Sequence, residues 1–67
     1  MKYVLSNNLL TMLSGNTMYL SNEEEGLFIK TTKNINEAKI FNSLSEISFY
    51  LKEKKLKQKD YTIIELV

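Results

Sequence analysis

The sequence predicts a small α+β domain, a mostly antiparallel sheet of four to five strands with one α-helix packed on one face. Three observations lead there. Short runs of β-branched, aromatic and leucine residues recur through the first half of the chain and again at its end. Clusters of Asn, Ser and Gly punctuate them. A single stretch, residues 43–57 (SLSEISFYLKEKKLK), carries apolar positions at helical spacing.

In chain order, residues 2–6 (KYVLS) read as a strand with Tyr3 and Leu5 on one face and Val4 on the other. Asn7 and Asn8 tolerate positive φ, so they suit a two-residue hairpin turn with residues 9–13 as the return strand. The competing arrangement is one long bulged strand over residues 2–13. Ser14, Gly15 and Asn16 mark a turn. Residues 17–21 (TMYLS) form the next strand, and residues 22–26 (NEEEG) a charged loop closed by glycine. Residues 27–32 (LFIKTT) have strand composition. Asn34 followed by Glu37 has the pattern of a capping box opening a single helical turn through Ala38, and Ile40 and Phe41 follow as apolar anchors.

The main helix starts at a second capping box, Ser43 with Glu46. Leu44, Ile47 and Leu51 define its core stripe, with Tyr50 on the flank. Lysines crowd its C-terminal end, which suits the helix dipole. No glycine caps it, so fraying is expected between Lys54 and Gln58. Residues 61–67 (YTIIELV) form the last strand; apolar residues on both faces place it inside the sheet. The expected core is Tyr3, Leu5, Met18, Leu20, Leu27, Ile29, Ile40, Phe41, Leu44, Ile47, Leu51, Ile63 and Ile64.

Length and composition narrow the function classes. With 67 residues, one domain (1–67) is the expectation. A chain of this size buries only about 60% of its unfolded surface, so stability is modest and a partner or second copy is a natural source of more. Cysteine and histidine are absent, which removes disulfides, most zinc sites and the common nucleophile–base pairs. No acidic pair is spaced to share a cleft, so no enzymatic activity, catalytic residue, metal or cofactor is expected. Glu23, Glu24 and Glu25 run consecutively and point in different directions, the pattern of a solvated loop tip. Net charge is +1 and no apolar run approaches a membrane span. No small-residue cleavage site follows residues 1–13, so no signal peptide is expected and the location is cytoplasmic.

Two surfaces remain for a partner. Phe49 and Leu56 project away from the core stripe; with Lys52 and Glu53 they would form a mixed apolar and charged patch suited to a protein. The patch vanishes if Phe49 packs on the amino-terminal strands or Leu56 folds back under the sheet. The second surface is the cluster Lys52, Lys54, Lys55, Lys57 and Lys59, which could contact phosphates of a nucleic acid. Against that, there is no arginine, the net charge is nearly neutral, and Glu53 and Asp60 interrupt the run.

The residues Lys2, Tyr3 and Val4, then Glu37, Ala38, Ile40 and Phe41, then Ile63, Ile64 and Val67 give the chain a likeness. In this order it resembles small uncharacterised proteins encoded by phages and prophages of low-GC Gram-positive bacteria. The resemblance spans most of the chain. It implies an α+β fold and a phage origin, and supplies no functional residue. Phage genes of this size commonly encode modulators or inhibitors of host proteins. The expected function is therefore an accessory protein that binds and inhibits a host or anti-phage defence protein in the host cytoplasm, without catalysis. The alternatives are a nucleic-acid-binding module and a homodimer formed through the sheet edge or the helix.

Overall fold

The computed structural model describes residues 1–25 and 28–67. Four strands form one open sheet: β1 (Lys2–Asn7), β2 (Tyr19–Glu25), β3 (Phe28–Thr32) and β4 (Tyr61–Leu66), in the order β3-β2-β1-β4 with antiparallel neighbours. Two α-helices accompany it, α1 (Asn8–Ser14) and α2 (Leu44–Glu53), with single 3₁₀ turns at Ile35–Glu37 and Gln58–Asp60. The fold is α+β, and the described residues hold four strands and two α-helices where one helix was expected. No helix among the described residues is long and apolar enough to cross a membrane.

The centre of the sheet is unusual. β1 pairs with β4 along its whole length, from Lys2↔Leu66 to Asn7↔Tyr61. On its other flank it meets β2 only at Ser6↔Tyr19, supplemented by the Asn7 N–H donating to the Met18 carbonyl at 2.7 Å. Beyond that point residues 38–41 fill the space between the strands. Tyr3 and Phe41 exchange both backbone hydrogen bonds at 2.8 Å, Ser21 bridges to Ala38, and the Lys39 N–H donates to the Leu20 carbonyl at 2.8 Å. This strap sends Phe41 and Ile40 to opposite faces, as an extended segment must. Phe41 is fully buried, and Ile40 is 40% exposed where it was expected in the core.

The core lies between the sheet and α2. Leu5, Leu20, Phe41, Ile47, Tyr50 and Leu51 form it, with Tyr3, Ile29, Leu56, Tyr61 and Ile63 packed against it. Phe41 meets Tyr50 edge-on, ring centroids 5.3 Å apart at 70°. The Lys39 ammonium caps this pair at 5.8 Å from the Phe41 centroid and 5.1 Å from that of Tyr50. Val4, Ser6, Ser21 and Ala38 are also buried, on the reverse side of the sheet.

Several expectations are corrected. Asn7 and Asn8 make no hairpin, and residues 2–13 make no single long strand: residues 9–13 lie in α1. The charged loop is mostly strand, since β2 runs through Glu25. The β2–β3 register shifts between Leu20 and Glu24, a bulge that takes up the polar residues. There the Ser21 hydroxyl accepts from the Glu23 N–H at 3.1 Å, and Glu23 reaches Lys30 at 3.7 Å. The expected closing glycine, Gly26, and the core assignment of Leu27 lie outside the described residues. β4 is an edge strand; its outward apolar residue Ile64 stands opposite buried Val4 on the reverse face. Leu44 is 54% exposed because it occupies the first turn of α2; the buried stripe is Ile47, Tyr50 and Leu51.

The two caps of α2 explain its limits. The Ser43 hydroxyl accepts from the Glu46 N–H at 3.1 Å, and the Glu46 carboxylate accepts from the Asn42 N–H at 3.2 Å, one residue before the cap. The C-terminus closes instead of fraying. The Lys55 N–H donates to the Lys52 carbonyl at 3.2 Å and the Leu56 N–H to the Leu51 carbonyl at 2.8 Å. This is a Schellman motif, and it brings half-buried Leu56 back onto the core. Its left-handed position holds Lys55 at φ 59°. A non-glycine residue there costs roughly 1–2 kcal/mol. Lys55→Gly is therefore expected to raise stability by about 0.5–1 kcal/mol in urea denaturation, after allowing for glycine's unfolded-state entropy. Lys55→Val is expected to lower it.

Candidate functional site

The site is built where β1 ends. Asn7 has extended dihedrals, and its side-chain oxygen accepts from the Leu10 N–H at 3.0 Å, so it caps α1. Gly15, at φ 76°, closes the helix by donating its N–H to the Thr11 carbonyl at 3.1 Å. No atom lies within 4 Å of where a Cβ would stand, so the dihedral alone calls for glycine here.

The polar side of α1 fastens it to the sheet. The Asn8 amide donates to the Lys59 carbonyl at 3.2 Å and accepts from the Thr62 hydroxyl at 2.6 Å. The Thr11 hydroxyl accepts from the Met18 N–H at 2.9 Å, turning the chain back toward β2. At 3.6 residues per turn, Asn8, Thr11 and Ser14 share one arc of the helix, and Leu9, Leu10, Met12 and Leu13 share the other. α1 has no buried residue. Met12 is 72% exposed and Leu13 71%, with Leu9 and Leu10 also exposed. The usual arrangement is reversed: polar atoms hold the helix down, and its apolar face meets solvent.

An open cleft of about 360 Å³ lies at the foot of α1, lined by Asn7, Asn8, Leu9, Lys59, Asp60 and Tyr61. The Tyr61 hydroxyl is raised above its ordinary pKa of 10.0, by burial first and by the Asp60 carboxylate second, while a hydrogen bond with the Asn7 side chain pulls the other way. Among the described residues no three acidic side chains gather at metal-binding distance.

The patch expected on α2 divides. Phe49 is 70% exposed, and Lys52 and Glu53 are exposed beside it. Leu56 is half-buried against the core and does not extend the patch. The lysine cluster is spread over three local structures. Lys52 is in α2, Lys54 and Lys55 are in its C-terminal turn, Lys57 precedes the 3₁₀ turn and Lys59 lies in it. The Lys54 ammonium lies 5.9 Å from the Tyr50 ring centroid.

The residues that sequence reasoning passed over are Leu9, Leu10, Met12 and Leu13. The signal was available: NLLTMLS has a helical division of apolar and polar residues, no strand alternation, an Asn cap before it and Gly after it. Compared with protein-family models, curated proteins and solved structures, the chain shows no match.

Two outcomes follow from this geometry. The folded state holds the Tyr61 proton more tightly than the unfolded chain does, so stability is unaffected below about pH 9 and declines as the pH rises past about 10. Urea denaturation of the wild type and Tyr61→Phe across that range is expected to show a shallower decline in the variant. Because Phe49 is exposed, Phe49→Glu is expected to leave the circular dichroism spectrum intact and shift stability by no more than about 0.5 kcal/mol.

Proposed function

We propose that this chain is a non-enzymatic accessory protein that acts by binding another protein through the apolar face of α1. The observation that carries this reading is the inverted helix, in which Leu9, Leu10, Met12 and Leu13 point to solvent while hydrogen bonds from Asn7, Asn8 and Thr11 fix the helix in place. Exposed contiguous apolar surface costs solubility, and a helix this short presents it rigidly only because its caps and anchors are satisfied.

The magnitudes fit an interface centre. Burying one Leu or Met side chain is worth roughly 1.5–3 kcal/mol. Four of them would give at most roughly 6–12 kcal/mol, less because Leu9 and Leu10 are already partly covered, and this falls within the about 4–15 kcal/mol that association costs, so a polar rim is needed for tight binding. Asn16, Thr17 and Lys59 are exposed polar residues that could serve as that rim. In keeping with the likeness to small phage proteins, the partner would be a host or anti-phage defence protein in the host cytoplasm, blocked sterically. Phe49, Lys52 and Glu53 offer a second, smaller contact area on α2.

The test is a comparative pull-down from a host lysate with tagged wild type, Leu13→Lys and Met12→Lys. Both substitutions are at exposed positions and are expected to preserve the fold. Proteins retained by the wild type and lost by both variants support the reading. An identical set of retained proteins from all three would remove α1 from the interface.

A further inference from the structure

We infer that the chain forms a two-fold symmetric homodimer by antiparallel pairing of β4 with β4 of a second copy, in a register centred on Ile64. The inference concerns a different surface from α1, so either can fail without the other.

The argument begins with the direction of backbone groups. Tyr3 spends both its N–H and its carbonyl on Phe41, and Asn7 spends its N–H on Met18. Both therefore point away from β4. In an antiparallel ladder hydrogen-bonded and non-hydrogen-bonded pairs alternate. Tyr3↔Glu65, Leu5↔Ile63 and Asn7↔Tyr61 are then the non-hydrogen-bonded pairs of the β1–β4 ladder. Consequently the backbone groups of Tyr61, Ile63 and Glu65 point outward from the free edge. The Tyr61 N–H is used locally, donating to the Gln58 carbonyl. What remains is the Tyr61 carbonyl and both groups of Ile63 and Glu65, and no described strand pairs with them.

This set is self-complementary. With the two-fold axis at Ile64, Ile63 of each copy lies opposite Glu65 of the other, and each such pair exchanges both hydrogen bonds, N–H to carbonyl in both directions. All outward groups of Ile63 and Glu65 are then paired, and the Tyr61 N–H, already bonded to Gln58, is not required. Ile64 faces Ile64 on the reverse side. Centring on Ile63 would set each Glu65 carbonyl against that occupied Tyr61 N–H. Centring on Glu65 would oppose two carboxylates, which is destabilising. Centring on Thr62 would place Glu65 opposite Lys59, outside the strand. Centring on Tyr61 would pair Glu65 with Lys57, outside the strand.

The edge is also undefended. Strand edges are commonly blunted by lysine, proline or a bulge. β3, at the other end of the sheet, carries Lys30 and lies against the bulged stretch of β2. β4 has a regular ladder with β1 and contains neither lysine nor proline. Its Ile63, Ile64 and Leu66 are only half-buried, on both faces. An isologous strand pair would join the two sheets into one and cover these residues.

Sedimentation equilibrium on the full chain, with amide exchange read residue by residue, tests the inference. A monomer–dimer equilibrium is expected, in which the Ile63 and Glu65 amides slow as concentration rises. Glu65→Pro removes an outward N–H without touching the β1 ladder, and is expected to abolish the dimer with the fold retained. Should that variant unfold, cross-linking decides, since the chain has no cysteine of its own. Ile64→Cys is expected to form a disulfide-linked dimer on mild oxidation, while Glu65→Cys stays monomeric. A wild type that remains monomeric at millimolar concentration, a Glu65→Pro variant that still dimerises, or equal cross-linking at both cysteines would each overturn the inference.

Discussion

The fold depends on satisfying one flank of one strand. β1 lies at the centre of the sheet, yet β2 diverges from it after a single paired position. A buried backbone N–H or carbonyl left without a partner costs about 1–3 kcal/mol, and a small domain cannot carry several. Residues 38–41 remove that cost by bonding to Tyr3 on one side and Leu20 on the other. The strap that repairs the sheet also delivers Phe41, the largest fully buried side chain among the described residues, beneath Tyr50 of α2. Backbone satisfaction and core packing are therefore one event, and α2 is seated by the strap as much as by the strands.

Around that centre, the two helices solve opposite problems. α2 follows the usual logic, with capped ends and Ile47, Tyr50 and Leu51 turned inward. α1 is fixed by side-chain amides and a hydroxyl instead of by burial. Met12 and Leu13, the most exposed of its four large apolar residues, add little to folding, because exposed apolar groups are hydrated in both states. Their exposure on a well-capped helix is the observation behind the role in recognition proposed for α1. A helix held only by polar contacts can also present its apolar face without competing for the core.

Much of the fold was legible in the sequence because local rules and tertiary structure agree there. Ser43 with Glu46, the Asn34 turn and the strand at residues 2–6 all depend on neighbours within a few positions. Departures arose where distant partners decide. β4 has apolar residues on both faces, as an interior strand would, but those faces are explained by Val4 and by the core, with one edge left open. Leu44 has the right period and the wrong place along the axis. Leu56 was placed in the outward patch, with folding back under the sheet as the alternative, and it is turned inward by a cap that usually needs glycine, here built on Lys55. At the candidate site, Phe49 was recognisable as surplus to the core stripe. α1 was missed because an apolar run beside a strand invites a second strand, and only the polar arc of Asn8, Thr11 and Ser14 argues otherwise.

The ladder between β1 and β4 joins the two described strands that lie farthest apart in the sequence. Contacts so far apart in sequence make folding slow relative to local structure, since loop closure precedes any gain. During synthesis, Val4 and Leu5 wait in an unfinished sheet until Ile63 and Ile64 leave the ribosome. Until then α1 lacks its anchors at Lys59 and Thr62, and the sheet cannot close. Until β4 has been made, β1 lacks the one strand that pairs with it along its whole length, and an unfinished sheet of this kind is the form that chaperones and proteases meet.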